Sequence, residues 1–353
     1  MKNVALKFSS LLLLFLVAMS CTKTETINSS PVELKEAITG SAQNLNKAMI
    51  EISGSQAFQL LSVGTDATFK SATVYTANIP LDLIKGIYDY KSIKTNEDGK
   101  FPLIRFFTKT ADNAKMIVNM PLSKLKNPHV LRKYSAADST LTNNFSMTVS
   151  DYHNNYNNYH DYDYVNVADI SIDQAAAGSL NIKSLVSPTT GTQYASQFAF
   201  ADGYTAKYQY TSGDTIVSSF SISKASGTLY EEKVLTIKKD TAKFGREHQY
   251  ILTIGNVKIV RKSGSAVQIY VDGTLQPKAT VTVVDNETEE DAEHSICKKR
   301  DVLITFEDGT TSTISALIGK SIDNITTLFT SLHNVYFAAY VVDWIGYDIY
   351  YKR

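Results

Sequence analysis

Two periodicities divide the chain. Between residues 31 and 62, Leu34, Ile38, Leu45, Met49 and Ile52 recur at intervals close to a helical turn with polar residues between them, which predicts a helix with one buried stripe. Ser30-Pro31-Val32-Glu33 ahead of it has the form of a capping box with Pro at the first helical position. The Ser oxygen can accept the Glu33 N–H, and Glu33 can reach back. Gly40 is a potential break, so the pattern predicts one or two helices.

From about residue 68 the texture changes to short segments rich in Tyr, Val, Ile, Thr and Phe, separated by Gly, Asn, Asp and Pro. Strands are predicted at 72–77, 86–93, 103–108, 115–120, 145–149, 164–172, 196–200, 205–210, 216–221, 233–238, 250–254, 257–261, 267–271, 279–284 and 302–306. In the segment 267–271 the apolar residues Val267, Ile269 and Val271 share one face, and Lys262-Ser263-Gly264-Ser265, Asp272-Gly273 and Glu307-Asp308-Gly309 signal hairpin turns. Near the C-terminus Ile322, Ile325, Leu328, Phe329 and Leu332 return to helical spacing behind Ser321, a candidate N-cap, after which 336–342 and 345–351 read as closing strands. The predicted fold class is α+β, mainly β: an antiparallel sheet or sandwich, with a half-barrel as a variant, an N-terminal helix and a helix near the C-terminus. No linker demands a boundary, so residues 30–353 are expected to form a single β-rich domain. Within it, residues 134–147 and 210–222 each read as strand, Asp-centred turn and strand, around Asp138 and Asp214. They are either a repeated hairpin or a chance likeness of polar turns flanked by aromatics.

The first twenty residues have a basic start with Lys2 and Lys7, an apolar run from Leu11 to Val17, and then Ala18-Met19-Ser20-Cys21. This is the anatomy of a secretory signal. The run is shorter than the ~17–25 residues that cross a bilayer as a helix. Val17-Ala18-Met19-Ser20-Cys21 resembles a bacterial lipobox, with small Ala18 and Ser20 flanking the variable Met19 and Cys21 as the residue that would be acylated; Val17 departs from the commoner Leu. The resemblance implies removal of residues 1–20 and membrane attachment through a lipid on Cys21, where two or more acyl chains would anchor stably. The competing reading is a secreted protein with a chance Cys. Residues 22–29 have almost nothing to bury, so 21–29 reads as a flexible tether. As a whole the chain looks like the Tyr- and Asn-rich β lipoproteins of Bacteroidota, a likeness that implies the cell envelope, most simply the outer membrane, and carries no active site with it.

Charge narrows the partners: 35 Lys and Arg balance 35 Asp and Glu, so nucleic acid, which calls for a clustered basic excess, is not an expected partner. With Cys21 lipidated only Cys297 remains, which excludes an intramolecular disulfide and a Cys-based zinc site.

The segment 151–164, Asp-Tyr-His-Asn-Asn-Tyr-Asn-Asn-Tyr-His-Asp-Tyr-Asp-Tyr, uses four residue types only. Tyr rings combine apolar faces with a polar edge, and Asn and Asp add directional hydrogen bonds, a combination suited to sugars or a protein partner. The candidate binding residues are Tyr152, Tyr156, Tyr159, His160 and Tyr162; His153, His160, Asp161 and Asp163 could also bind a metal. A solvated loop or ribbon between strands is the plainer alternative. A calcium loop is a poor match, because Val165 sits where a third oxygen ligand belongs. Gly319-Lys320-Ser321 ends like a phosphate loop, but Ile314 stands where the first Gly is needed, so a turn and helix cap is the better reading. The acidic run 285–293, followed by Lys298-Lys299-Arg300, could chelate cations or dock a basic partner, or simply be solvated. No nucleophile elbow is present, the six His residues (129, 153, 160, 248, 294, 333) lack zinc-helix spacing, and Cys297 near His294 lacks a family signature.

No catalytic residue, cofactor or metal is therefore assigned. The expected role is a non-enzymatic, lipid-anchored envelope module that binds a glycan or a partner protein. The alternatives are a carrier of apolar ligands, with a curved sheet wrapped around the 31–62 helix as in the lipoprotein-carrier fold, and a hydrolase with paired carboxylates.

Overall fold

A computed structural model describes residues 32–61, 76–93, 103–126, 140–239, 245–285 and 300–352. The expected signal and tether, Cys21, Ser30, Cys297, His129, His294, most of the acidic run and residues 134–139 of the first hairpin copy, with Asp138, lie outside the described residues.

The described residues divide into two compact units, each built from two segments: those within 1–50 and 214–325, and those within 51–213 and 326–353. Both are mainly antiparallel β with helices from the chain ends, the predicted class, and no barrel closes among the described strands.

Helix α1 (Val32–Gly54) supplies the first unit up to residue 50. Leu34, Ile38, Ala42, Leu45, Ala48 and Met49 are buried on one stripe, as the periodicity requires. The helix runs through Gly40 without a break: burial of both halves of the stripe outweighs the ~1 kcal/mol that a mid-helix Gly costs. The strands of this unit, β10 (Thr215–Lys224), β11 (Gly227–Lys238), β12 (Arg246–Ile254), β13 (Val257–Lys262), β14 (Gln268–Val271) and β15 (Thr274–Leu275), pair in sequence as an antiparallel meander. The turn between β12 and β13 carries Gly255 at φ +57, and a Cβ there would stand 2.6 Å from Ser41 Oγ of α1. Glycine is thus required twice, for the left-handed conformation and for the close approach. Ser41 donates from the helix to Asn256 Oδ1 at 2.9 Å. A three-stranded sheet of β16 (Thr280–Asp285), β17 (Arg300–Thr305) and β18 (Thr311–Thr313) is followed by the short α5 (Ile314–Ile318), whose N-cap Thr313 accepts from the Ala316 N–H. Gly319-Lys320-Ser321 is the joint between two helices, a cap as read from the sequence.

In the second unit, α2 (Gln56–Leu61) precedes β1 (Ala77–Pro80), α3 (Leu81–Ile84), β2 (Gly86–Tyr90), a 3-10 turn (Leu103–Phe106), β3 (Phe107–Ala111), β4 (Met116–Met120) and α4 (Leu122–Lys126). The long strands β5 (Phe145–Asn158), β6 (Asp161–Ile172), β7 (Ala175–Ser187), β8 (Gly191–Phe200) and β9 (Thr205–Thr211) follow. The strand order is β9-β8-β7-β6-β5-β4-β2-β3, with β1 also on β5 and β2 parallel to β4. Phe145, Met147, Val149, Ile170, Ile172, Leu180, Ile182, Phe198 and Phe200 form one buried face.

The two strands predicted at 336–342 and 345–351 are corrected by the structure. Both segments belong to α6 (Ser321–Tyr351), whose residues from 326 onward lie in the second unit. Leu328, Leu332, Ala339, Val342 and Ile345 are buried at spacings of three, four and seven, a helical stripe and not an alternation. The aromatic and β-branched content favoured strand on propensity alone, and the tertiary stripe overrides it. Among the described residues no helix is long and apolar enough to cross a membrane.

Candidate functional site

In the second unit the strand register aligns four polar residues into one row. Asp89 of β2 is the partner of Asn119 on β4, Asn119 of Ser146 on β5, and Ser146 of Ser171 on β6. Their sequence neighbours Tyr88, Tyr90, Val118, Met120, Phe145, Met147, Ile170 and Ile172 are buried, so strict alternation turns the row to the opposite face. Three interstrand steps make it about 14 Å long, at ~4.8 Å per step.

This row floors a cleft of about 770 Å³, whose remaining lining is Thr142, Asn143 and Asn144 on one side and Asp173 and Gln174 on the other. Every lining side chain can hydrogen-bond, and none is apolar or cationic. The supports are specific. Asp89 accepts from Asn119 Nδ2 at 2.7 Å and from Thr110 Oγ1 at 2.8 Å, so both its oxygens are engaged and the Asn119 amide is held with its own Oδ1 as the acceptor it can offer. Asn144 caps α4 by accepting the Leu122 N–H at 2.9 Å, donates to Asp173 Oδ1 at 3.1 Å, and takes the Asp173 N–H on its carbonyl at 2.7 Å. Asn143 donates to the Tyr90 carbonyl at 3.3 Å.

The Asp173-Gln174 turn joins β6 to β7 with φ +51 and φ +66. Asp tolerates this region, whereas a left-handed Gln carries a cost of about 1–2 kcal/mol. The turn holds both side chains at the cleft rim, the kind of position at which backbone strain accompanies function.

The Tyr- and Asn-rich tract forms the hairpin of β5 and β6. A register shift between Val149 and Asp151 changes which residues face inward: the odd positions 145, 147 and 149 before it, then Tyr152 and Asn154, as a bulge demands. Tyr152 is 2 % exposed and donates its hydroxyl to Asp343 of α6 at 2.9 Å. Tyr164 bonds the same carboxyl. Enclosure raises the Asp343 carboxyl to about 7, partly offset by the two Tyr donors, while burial drives both Tyr hydroxyls well above their usual range. An analogous group lies in the first unit, where Glu232 of β11 bonds Tyr230 and Tyr250 and is likewise raised by burial to about 7.

The structure separates the other sequence candidates. Tyr156 and Tyr162 are cross-strand partners with ring centroids 6.1 Å apart, and Tyr162 accepts from Ser184 at 2.9 Å. Tyr159 is 73 % exposed at the hairpin tip, its ring 4.0 Å from that of His160. His153 Nε2 lies 3.1 Å from Asp163 Oδ1, and Asp161 accepts from Asn157. Among the described residues no group of three or more His, Cys, Asp and Glu side chains could hold a metal ion. None of the five candidates lines the cleft. The cleft residues escaped the sequence reading because they span 86 positions, from Asp89 to Gln174, and register alone brings the strand residues together; the local signals were two short polar runs, Thr142-Asn143-Asn144 and Asp173-Gln174, beside strand-like segments.

No known protein family, curated protein or solved structure matches the chain.

Proposed function

We propose that the protein is a lipid-anchored component of the cell envelope, held at the outer membrane through Cys21, that binds a glycan in the cleft of its second unit without altering it chemically. The observation that carries the reading is the floor row Asp89, Asn119, Ser146 and Ser171. It presents hydroxyl, amide and carboxylate groups along about 14 Å, the chemistry and extent suited to a short run of sugar rings. Thr142 and Gln174 bring further donors and acceptors, while the Asp89–Asn119 and Asn144–Asp173 bonds hold the floor and rim in place before a ligand arrives. A protein partner is favoured less, since the lining offers no aromatic or aliphatic anchor of the sort that dominates such interfaces.

An oligosaccharide array probed with the wild type and with an Asn119→Ala/Ser171→Ala double variant tests the binding claim. Binding in the wild type that is lost in a folded double variant supports it, and equal binding by both places the ligand elsewhere. The address is tested separately by feeding cells a palmitate analogue: label and membrane association should disappear together in Cys21→Ala, whereas an unlabelled, soluble wild type would leave a secreted protein.

A further inference from the structure

The cleft contains two carboxylates, Asp89 and Asp173, and no Lys, Arg or His among the nine side chains that line it. The two carboxylates are used differently. Asp89 has both oxygens engaged by Asn119 and Thr110, so it organises the floor. Asp173 accepts one side-chain bond, from Asn144 to Oδ1, and stands exposed on the left-handed turn at the rim. Its Oδ2 is available to a ligand. Along the floor, by contrast, Asn119, Ser146 and Ser171 are neutral groups suited to ring hydroxyls.

We infer that the cleft discriminates among saccharides by charge, taking chains that carry a free amine beside Asp173 in preference to neutral ones and excluding those that carry phosphate or carboxylate groups. The inference rests on the glycan reading above and adds ligand class to it. An ammonium set against Asp173 makes a charge-assisted hydrogen bond. An anionic sugar would meet two like charges with no cation among the nine lining residues to compensate. Because Asp173 is exposed, the gain is that of a surface ion pair, on the order of fivefold in affinity, and salt should erase it.

The test titrates the purified protein with three β-linked trimers of equal length: glucosamine, N-acetylglucosamine and a uronic acid. At low salt the glucosamine trimer should bind about fivefold more tightly than its N-acetyl counterpart, with the uronic trimer weakest. The difference should collapse at about 0.5 M salt, where charges are screened within a few ångströms. Asp173→Asn keeps a residue type that tolerates the left-handed turn and an oxygen for Asn144, and should bind the glucosamine and N-acetylglucosamine trimers alike, with the uronic trimer still weaker because Asp89 remains. Equal affinities for the amine and N-acetyl trimers in the wild type would overturn the charge selection and leave the glycan reading intact. Failure of a folded wild type to bind any trimer would overturn both.

Discussion

Replacing Asp343 by Asn should make the second unit more stable at alkaline pH and remove much of its pH dependence. In the native state the carboxyl is enclosed beneath Tyr152 and Tyr164 and titrates near 7, against 3.8 for the free group. A raised folded pKa means that the folded state holds the proton more tightly. The associated stability is fully present below about pH 4 and is lost as pH rises towards 7. At about 1.4 kcal/mol for each tenfold change in proton affinity, the difference between 3.8 and about 7 sets the loss at no more than about 4 kcal/mol. Asn has the shape of the protonated acid and keeps an oxygen for one of the two Tyr donors, so the variant should match the wild type to within ~1 kcal/mol near pH 4 and exceed it by a few kcal/mol near pH 8. Trp344, the chain's single tryptophan, adjoins Asp343 on α6. Urea unfolding followed by its fluorescence therefore reads the unfolding of the segment that carries Asp343. A wild-type midpoint that stays constant from about pH 5 to about pH 8, or an Asn variant with the same slope as the wild type, would refute the reasoning.

Three further substitutions probe the backbone. Gly40→Ala, in a helix with open space where the Cβ would go, should stabilise by about 0.5–1 kcal/mol; a fall in the thermal midpoint by circular dichroism would contradict the account of α1. Gly255→Ala must adopt φ +57 and push against Ser41, so a loss of roughly 1–3 kcal/mol is expected, and unchanged stability would mean that α1 does not rest on this turn. Gln174→Gly relieves the left-handed turn and should stabilise by about 1 kcal/mol while weakening saccharide binding; a variant with wild-type affinity would remove Gln174 from the site.

Periodicity made α1 legible, because its stripe depends on side-chain hydrophobicity alone. The strands were legible where Val, Ile and aromatic residues alternate, as in β10, β13 and β14. β7 was not: its sequence AAAGSLNIKSLVS is poor in strand formers, and what makes it a strand is pairing along its length with β6 and β8. The C-terminal end of α6 failed in the opposite direction, strand-like residues being recruited to a helix by the stripe that includes Ala339, Val342 and Ile345. For chemistry, the Tyr- and Asn-rich tract drew attention as a unit, yet the bulge near Ser150 sends Tyr152 and Asn154 inward and leaves Tyr159 at the tip. Composition cannot reveal that division. Asp89, Asn119, Ser146 and Ser171 are each unremarkable in their own strands, and a site that depends on lateral register is invisible until the strands are paired.

The central claim, that a row of polar side chains across four strands receives a glycan, is tested most directly by affinity against ring number, measured calorimetrically with one sugar lengthened stepwise. A floor of about 14 Å predicts that affinity climbs from one ring to about three and then levels, and that Ser171→Ala moves the plateau to shorter chains. Affinity that is independent of length, or that keeps rising well beyond the floor, would contradict the account.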